Sequence, residues 1–178
     1  MKKASILAIA AMLTAAGAAH AQVKSPLYVE GNVTAVTTDL GDGVQFKPRV
    51  LSAVVGYDVH PNVAIEGMLG LNAGKGTATI SGVNTSLKYT SSVGVFVKPH
   101  YAINSQFDVF ARLGYVSSRG EVTVGSASAT GTDRDFAYGL GGNYNIDKNL
   151  YATLGYMVFY KKDGAKTDGF NVGVGYHF

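Results

Sequence analysis

The sequence contains no cysteine. A disulfide framework, thiolate metal ligands and a thiol nucleophile are thereby excluded, and no cysteine-linked lipid anchor is expected. Charge is scarce as well. Asp, Glu, Lys and Arg make up 15% of the 178 residues, against roughly a quarter to a third on a typical water-facing surface. Proline is limited to Pro26, Pro48, Pro61 and Pro99, each expected near a strand end or in a turn, where a missing N–H does no harm. After residue 21 no apolar run approaches the roughly 18 residues of a membrane helix.

The first residues read as an export signal. Lys2 and Lys3 give a positive start, and Ile6 to Ala19 is an apolar run of about 14 residues, too short to span a bilayer as a helix. Ala19-His20-Ala21 is a small-x-small cleavage pattern. Residues 1–21 are therefore expected to be a signal peptide and residues 22–178 one domain. The net charge of +3 includes Lys2 and Lys3, so without them it falls to +1. The basic balance is then no nucleic-acid footprint. An exported chain without a helix anchor is either soluble outside the cytoplasm or a membrane β-barrel.

What is present is alternation. Segments 27–35, 51–59, 63–71, 93–101, 107–115, 136–146, 150–160 and 170–178 alternate bulky apolar with small or polar residues, the period of a two-faced strand. In the last, Phe170, Val172, Val174, Tyr176 and Phe178 share one face. An even number of strands of about ten residues suits a transmembrane barrel. Short turns lie around Pro61, Ser105 and Lys148, and longer connections at 38–48, 74–87, 118–134 and 161–168. This asymmetry predicts short periplasmic turns, longer extracellular loops and both termini on the periplasmic side. Residues 74–90 and 119–132 keep some alternation, which predicts strands continuing above the membrane as a protruding hairpin.

Alternation alone does not say which face points outward. A lipocalin-like barrel buries its apolar face, and a membrane barrel presents it to lipid. Here the less apolar face is rich in Gly, Ala, Ser, Asn and Thr but poor in charge, which is unlike a solvated surface. The apolar face carries no charged residue within any strand, where a charge at mid-bilayer costs about 2–4 kcal/mol. Its aromatics gather near the ends: Tyr57, Tyr101 and Phe107 at one, Tyr115, Phe136, Tyr160 and Phe170 at the other. Such belts mark the two membrane interfaces. The fold class expected is all-β: an eight-stranded antiparallel up-and-down transmembrane β-barrel.

The terminal segment Phe170-Asn-Val-Gly-Val-Gly-Tyr-His-Phe178 and the pairs Gly56-Tyr57, Gly114-Tyr115, Gly155-Tyr156 and Gly175-Tyr176 carry a resemblance. The mature chain resembles the small eight-stranded outer-membrane barrels, the group of the outer membrane protein A transmembrane domain, outer membrane protein X and neisserial surface protein A. The resemblance implies that Phe170, Val172, Val174, Tyr176 and Phe178 are a C-terminal assembly signal read by the barrel-assembly machinery. It implies an outer-membrane location among lipid and lipopolysaccharide, and no catalytic residue or cofactor.

Eight strands leave a lumen just wide enough for side chains. Glu30, Glu66, Lys98 and Arg112 should point into it, with Asp58, Asp108, His100 and His177 nearer the periplasm. Charges there must pair. The quartet reads as a structural ion-pair network, or, by the resemblance, as a gate. Three histidines follow the signal: His60, His100 and His177. All are expected at the periplasmic end, away from a lipid A-modifying site, and are too scattered for a metal cluster. Gly41-Asp42-Gly43 reads as a turn rather than a cation site. Gly139 to Gly142 lacks the Lys-Ser/Thr of a phosphate loop. Lys161, Lys162 and Lys166 form a basic outer loop, solvated or against lipopolysaccharide phosphates. The reading is a non-enzymatic barrel, closed with no edge strand to pair and so expected to be monomeric, serving envelope integrity or surface interaction. The alternatives are a narrow low-conductance porin-like channel, a lipid A-modifying barrel enzyme and a soluble ligand carrier. The purified protein should begin at Gln22, fractionate with outer membranes and migrate faster unheated than boiled on a detergent gel. Recovery from soluble periplasm would refute the barrel reading.

Overall fold

A computed structural model describes residues 25–41, 44–80, 82–162 and 164–178. The expected signal peptide, Asp42 and Gly43 lie outside the described residues. The strands are β1 (Leu27–Asp39), β2 (Gln45–Phe46), β3 (Arg49–His60), β4 (Val63–Gly74), β5 (Gly76–Ile80), β6 (Val83–Ala102), β7 (Phe107–Val124), β8 (Ala127–Asn145), β9 (Leu150–Lys162) and β10 (Ala165–His177). Eight long strands pair antiparallel in the order β10-β9-β8-β7-β6-β4-β3-β1, and β1 pairs with β10 to close a barrel. Closure leaves no edge around the ring. The short β2 continues on β1, and β5 pairs with β6. The chain end is tied in: Phe178 N–H donates to the Leu27 carbonyl at 3.2 Å, and Ser25 N–H to the Phe178 carbonyl at 2.9 Å.

The two faces separate as the alternation predicts, with the apolar side outward. Leu69 is 64% exposed, Val95 63%, Leu140 71% and Phe170 65%. That much bare apolar surface is untenable in water and natural in lipid. Val158 departs from the pattern. It belongs to the outer face by register, opposite Tyr138, yet is buried. The inner wall is built from pairs in which a large side chain lies over a glycine of the next strand. A Cβ on Gly56 would sit 2.1 Å from Tyr28 Cζ, and one on Gly175 2.1 Å from Tyr151 Cζ. The Gly139–Gly142 run is explained the same way, since a Cβ on Gly141 would meet Phe110 Cζ at 2.4 Å.

The connections at one end are tight turns. Asn104 Oδ1 accepts the N–H groups of Gln106 and Phe107 at 2.8 and 2.9 Å. Asp147 Oδ1 accepts those of Asn149 and Leu150, both at 2.8 Å. The Leu150 and Asn149 amides hold the Asp147 carboxyl below the usual carboxylate range. The other end carries the longer connections. Most of 74–87 and 118–134 is strand: β6, β7 and β8 run 20, 18 and 19 residues and rise past the ring as the anticipated hairpins. They close on tight turns whose glycines, such as Gly82 (φ 80°) and Gly125 (φ 58°), adopt the left-handed conformation. The upper part of β8 pairs with β7 from Ala127 onward but meets β9 only from Tyr138 downward. A β-bulge between Tyr89 and Ser91 inverts the phase of β6. Pro99 lies inside β6, where the pairing to β7 passes from Val97–Leu113 to His100–Phe110.

Gly175→Ala should therefore destabilise the barrel by about 1–3 kcal/mol, because the buried Tyr151 ring has nowhere to move. Gly31→Ala faces outward with nothing within 4 Å and should stay within ~0.5 kcal/mol of the parent. The check is the urea midpoint of each variant refolded in detergent.

Candidate functional site

The lumen carries the molecule's densest polar chemistry. Glu30 comes from β1, Glu66 from β4, Lys98 from β6 and Arg112 from β7. All four are buried, the most exposed at 5%. The β6–β7 register sets Lys98 directly across from Arg112 on the inner face. Two like charges so placed repel, and the carboxylates from β1 and β4 sit between and around them. Arg112 Nε reaches Glu66 Oε2 at 2.6 Å, and its Nη2 reaches Glu66 Oε1 at 2.9 Å. The same Nη2 also donates to Glu30 Oε2. Lys98 Nζ lies 3.4 Å from Glu30 Oε1 and 3.3 Å from Glu66 Oε1. The fork of Arg112 is thus the tighter holder and Lys98 the looser.

Two tyrosines that the sequence marks only as inner-face positions complete the cluster. The Tyr28 hydroxyl donates to Glu66 Oε1 at 2.6 Å, and the Tyr151 hydroxyl to Glu30 Oε1 at 3.1 Å. Both rings reach the cluster because they lie flat over Gly56 and Gly175. The Phe110 ring supports the cations, with Lys98 Nζ 4.7 Å and the Arg112 guanidinium carbon 4.9 Å from its centroid. Above the cluster remains a cavity of about 20 Å³, bounded by Asn32, Ser52, Glu66, Arg112 and Asn171 among others. That is room for about one water. Higher still, Tyr89 Oη lies 3.0 Å from Thr38 Oγ1 and 3.4 Å from Thr167 Oγ1, a hydroxyl cluster joining β6, β1 and β10. Phe46 and Pro48 are buried at this level.

The remaining expected positions fall as follows. Asp58 and His100 meet at 3.4 Å near the turn end. Asp108 accepts from Asn145 Nδ2 at 3.2 Å. His177 packs tilted against both Tyr28 and Tyr151, its ring centroid 5.1 and 5.3 Å from theirs. Phe170, Val172, Val174 and Tyr176 face outward together, and the Phe178 ring packs edge-on to Tyr176 at 5.4 Å. Lys161 is exposed. Lys166 is bound by Asp168 and the Tyr156 hydroxyl. The Lys162 side chain lies outside the described residues.

Residues 6–178 match the family described as "Outer membrane protein beta-barrel domain". The chain belongs to that family. Its fold is shared with solved barrels of low identity. Ail, the attachment invasion locus protein of Yersinia pestis, is 18% identical with a TM-score of 0.65, over 88% of this chain and 100% of that one. Neisserial surface protein A is 15% identical with a TM-score of 0.68, over 88% and 100%. OprG from Pseudomonas aeruginosa is 12% identical with a TM-score of 0.62, over 87% and 97%. No curated protein matches the sequence. Family membership makes the protein an outer-membrane β-barrel.

Glu66→Ala would leave Arg112 Nε without its carboxylate and Lys98 with Glu30 alone. Breaking a buried ion pair in this way should cost about 3–5 kcal/mol. Tyr28→Phe removes one hydrogen bond to a charged acceptor and should cost about 1.5–3 kcal/mol. Urea titration of the folded barrel in detergent checks both. Parent-like stability of Glu66→Ala would remove the cluster from any structural role.

Proposed function

We propose that this protein is a plugged, non-enzymatic outer-membrane barrel that acts through its outer end, in surface contact or in support of the envelope. The filled lumen carries this reading. Four charged side chains and two tyrosines occupy the section, beside a cavity of about 20 Å³ with room for about one water. The quartet Glu30, Glu66, Lys98 and Arg112 is then a structural brace rather than a gate. The long ends of β6, β7 and β8 stand outside the cell, and both chain termini face the periplasm. On this reading residues 1–21 are removed on export. The outward Phe170, Val172, Val174, Tyr176 and terminal Phe178 are what the assembly machinery reads. The lipid A-modifying alternative lacks support: His60, His100 and His177 all lie at the turn end, remote from the outer leaflet.

Planar-bilayer recording of the refolded protein should show no defined conductance steps. Stable steps abolished by Glu66 or Arg112 substitution would establish the narrow channel instead. Orientation is tested on the cysteine-free background. Ser126→Cys, at the exposed β7–β8 turn, should react with an impermeant maleimide on intact cells. Lys148→Cys, at the opposite end, should react only after the outer membrane is opened. The reverse pattern would overturn the orientation.

A further inference from the structure

We propose that the rim between β3 and β4 is a seat for the phosphorylated headgroup of an outer-leaflet lipid, with Lys47, Arg49 and Lys75 holding the phosphate. The wall splits at this place. Pairing of β3 with β4 ends at Arg49–Gly74. Beyond it β2 stays on β1, whereas β5 turns away to β6. The backbones still touch at one point: a Cβ on Gly76 would lie 2.5 Å from the Lys47 nitrogen and 2.8 Å from that of Pro48. The divergence leaves an open groove of about 490 Å³, bounded by Gln45, Lys47, Lys75, Thr77 and Thr79 among others.

Charge points to the occupant. The stem of Arg49 lies along Gly74, 3.6–3.9 Å from where its Cβ would be. This brings the guanidinium's strand position beside Lys75, with Lys47 two residues further along. Among the described residues none of these three cations has a carboxylate within 4.0 Å. Other rim lysines are engaged: Lys88 pairs with Glu121 at 2.9 Å, and Lys166 with Asp168. The carboxylate beside the groove, Asp39, is also engaged, accepting the Gly41 N–H at 2.8 Å and the Gln45 amide at 2.9 Å.

Apolar surface continues directly below. Two residues along from Arg49, Leu51 pairs with Leu71, and the two are 51% and 56% exposed on the outer face. Cations above bare leucines match an amphiphile, whose phosphate meets the lysines while its chains cover the leucines. A soluble anion would use the groove and leave the leucines uncovered.

The inference rests on the outward orientation proposed above. Its test does not, because binding in detergent is blind to orientation, and maleimide labelling decides that point separately. The mature barrel in detergent is titrated with bisphosphorylated lipid A and with the same lipid stripped of phosphate, and bound lipid is counted by native mass spectrometry. The variant K47Q/R49Q/K75Q should bind the phosphorylated lipid about tenfold more weakly, within the range of three exposed ion contacts. Stripping the phosphates should weaken the parent equally and the variant no further. K88Q, on the far rim where the cation already pairs with Glu121, should bind like the parent. Equal binding of the stripped lipid by the parent would overturn the proposal without reference to any variant. Parent-like binding by the triple variant, with unchanged heat-modifiable migration, would overturn it as well. Displacement of the lipid by an equal concentration of inorganic phosphate would assign the groove to soluble anions and overturn the lipid reading.

Discussion

Two positive charges face each other across neighbouring strands in a crowded lumen, and the interior is arranged around that problem. Lys98 and Arg112 are tolerable only because Glu30 and Glu66 arrive from β1 and β4 to share them. The quartet sums to zero charge, but neutrality alone does not satisfy every donor and acceptor. Tyr28 and Tyr151 supply the remaining hydrogen bonds to the carboxylates. Gly56 and Gly175 leave the flat strip of wall on which those rings lie. Four strands, two tyrosines and two glycines are thereby committed by one electrostatic constraint. Replacement of a single member exposes the rest to the cost of an unpaired buried charge.

The outer surface obeys a simpler constraint, and the two surfaces hardly interact. Lipid asks of the outward residues only that they be apolar, with aromatics at the interfaces. Specific packing is confined to the lumen, where Phe96, Val116, Ala137 and Met157 form a small core above the charged layer. A soluble domain would reverse this, with one specific core and a permissive polar surface.

The ring was legible because a period of two assigns each residue a side, and the scarcity of charge told which side meets lipid. Glu30, Glu66, Lys98 and Arg112 were legible because charges on a crowded inner face must meet. Tyr28 and Tyr151 were not singled out. Their part depends on registers that bring β1 next to β3 and β9 next to β10, which one strand's pattern does not contain. A large aromatic on the small-residue face, across from a glycine, was the available signal. The hairpins over 74–90 and 119–132 were only weakly legible, because strands in water need no apolar face and their Gly, Ser and Thr give a weak period. The bulge after Tyr89 also breaks the phase of β6. The divergence of β2 from β5 had no sequence signature beyond Pro48 and the glycines flanking Lys75.

The missing partner of upper β8 has a consequence for how such a barrel can change. Closure of a barrel fixes stagger and tilt for the strands in the ring, and these end where Tyr138 meets Val158. Beyond that row β8 answers only to β7, which stays paired with β6 up to Val124. Residues can be added or removed at the Gly125 turn, in pairs that keep the alternation, without altering the shear of the ring or its fit to the bilayer. Height beyond the membrane is therefore a free parameter of this architecture, and diversification of the hairpin end can proceed while the embedded part stays constant.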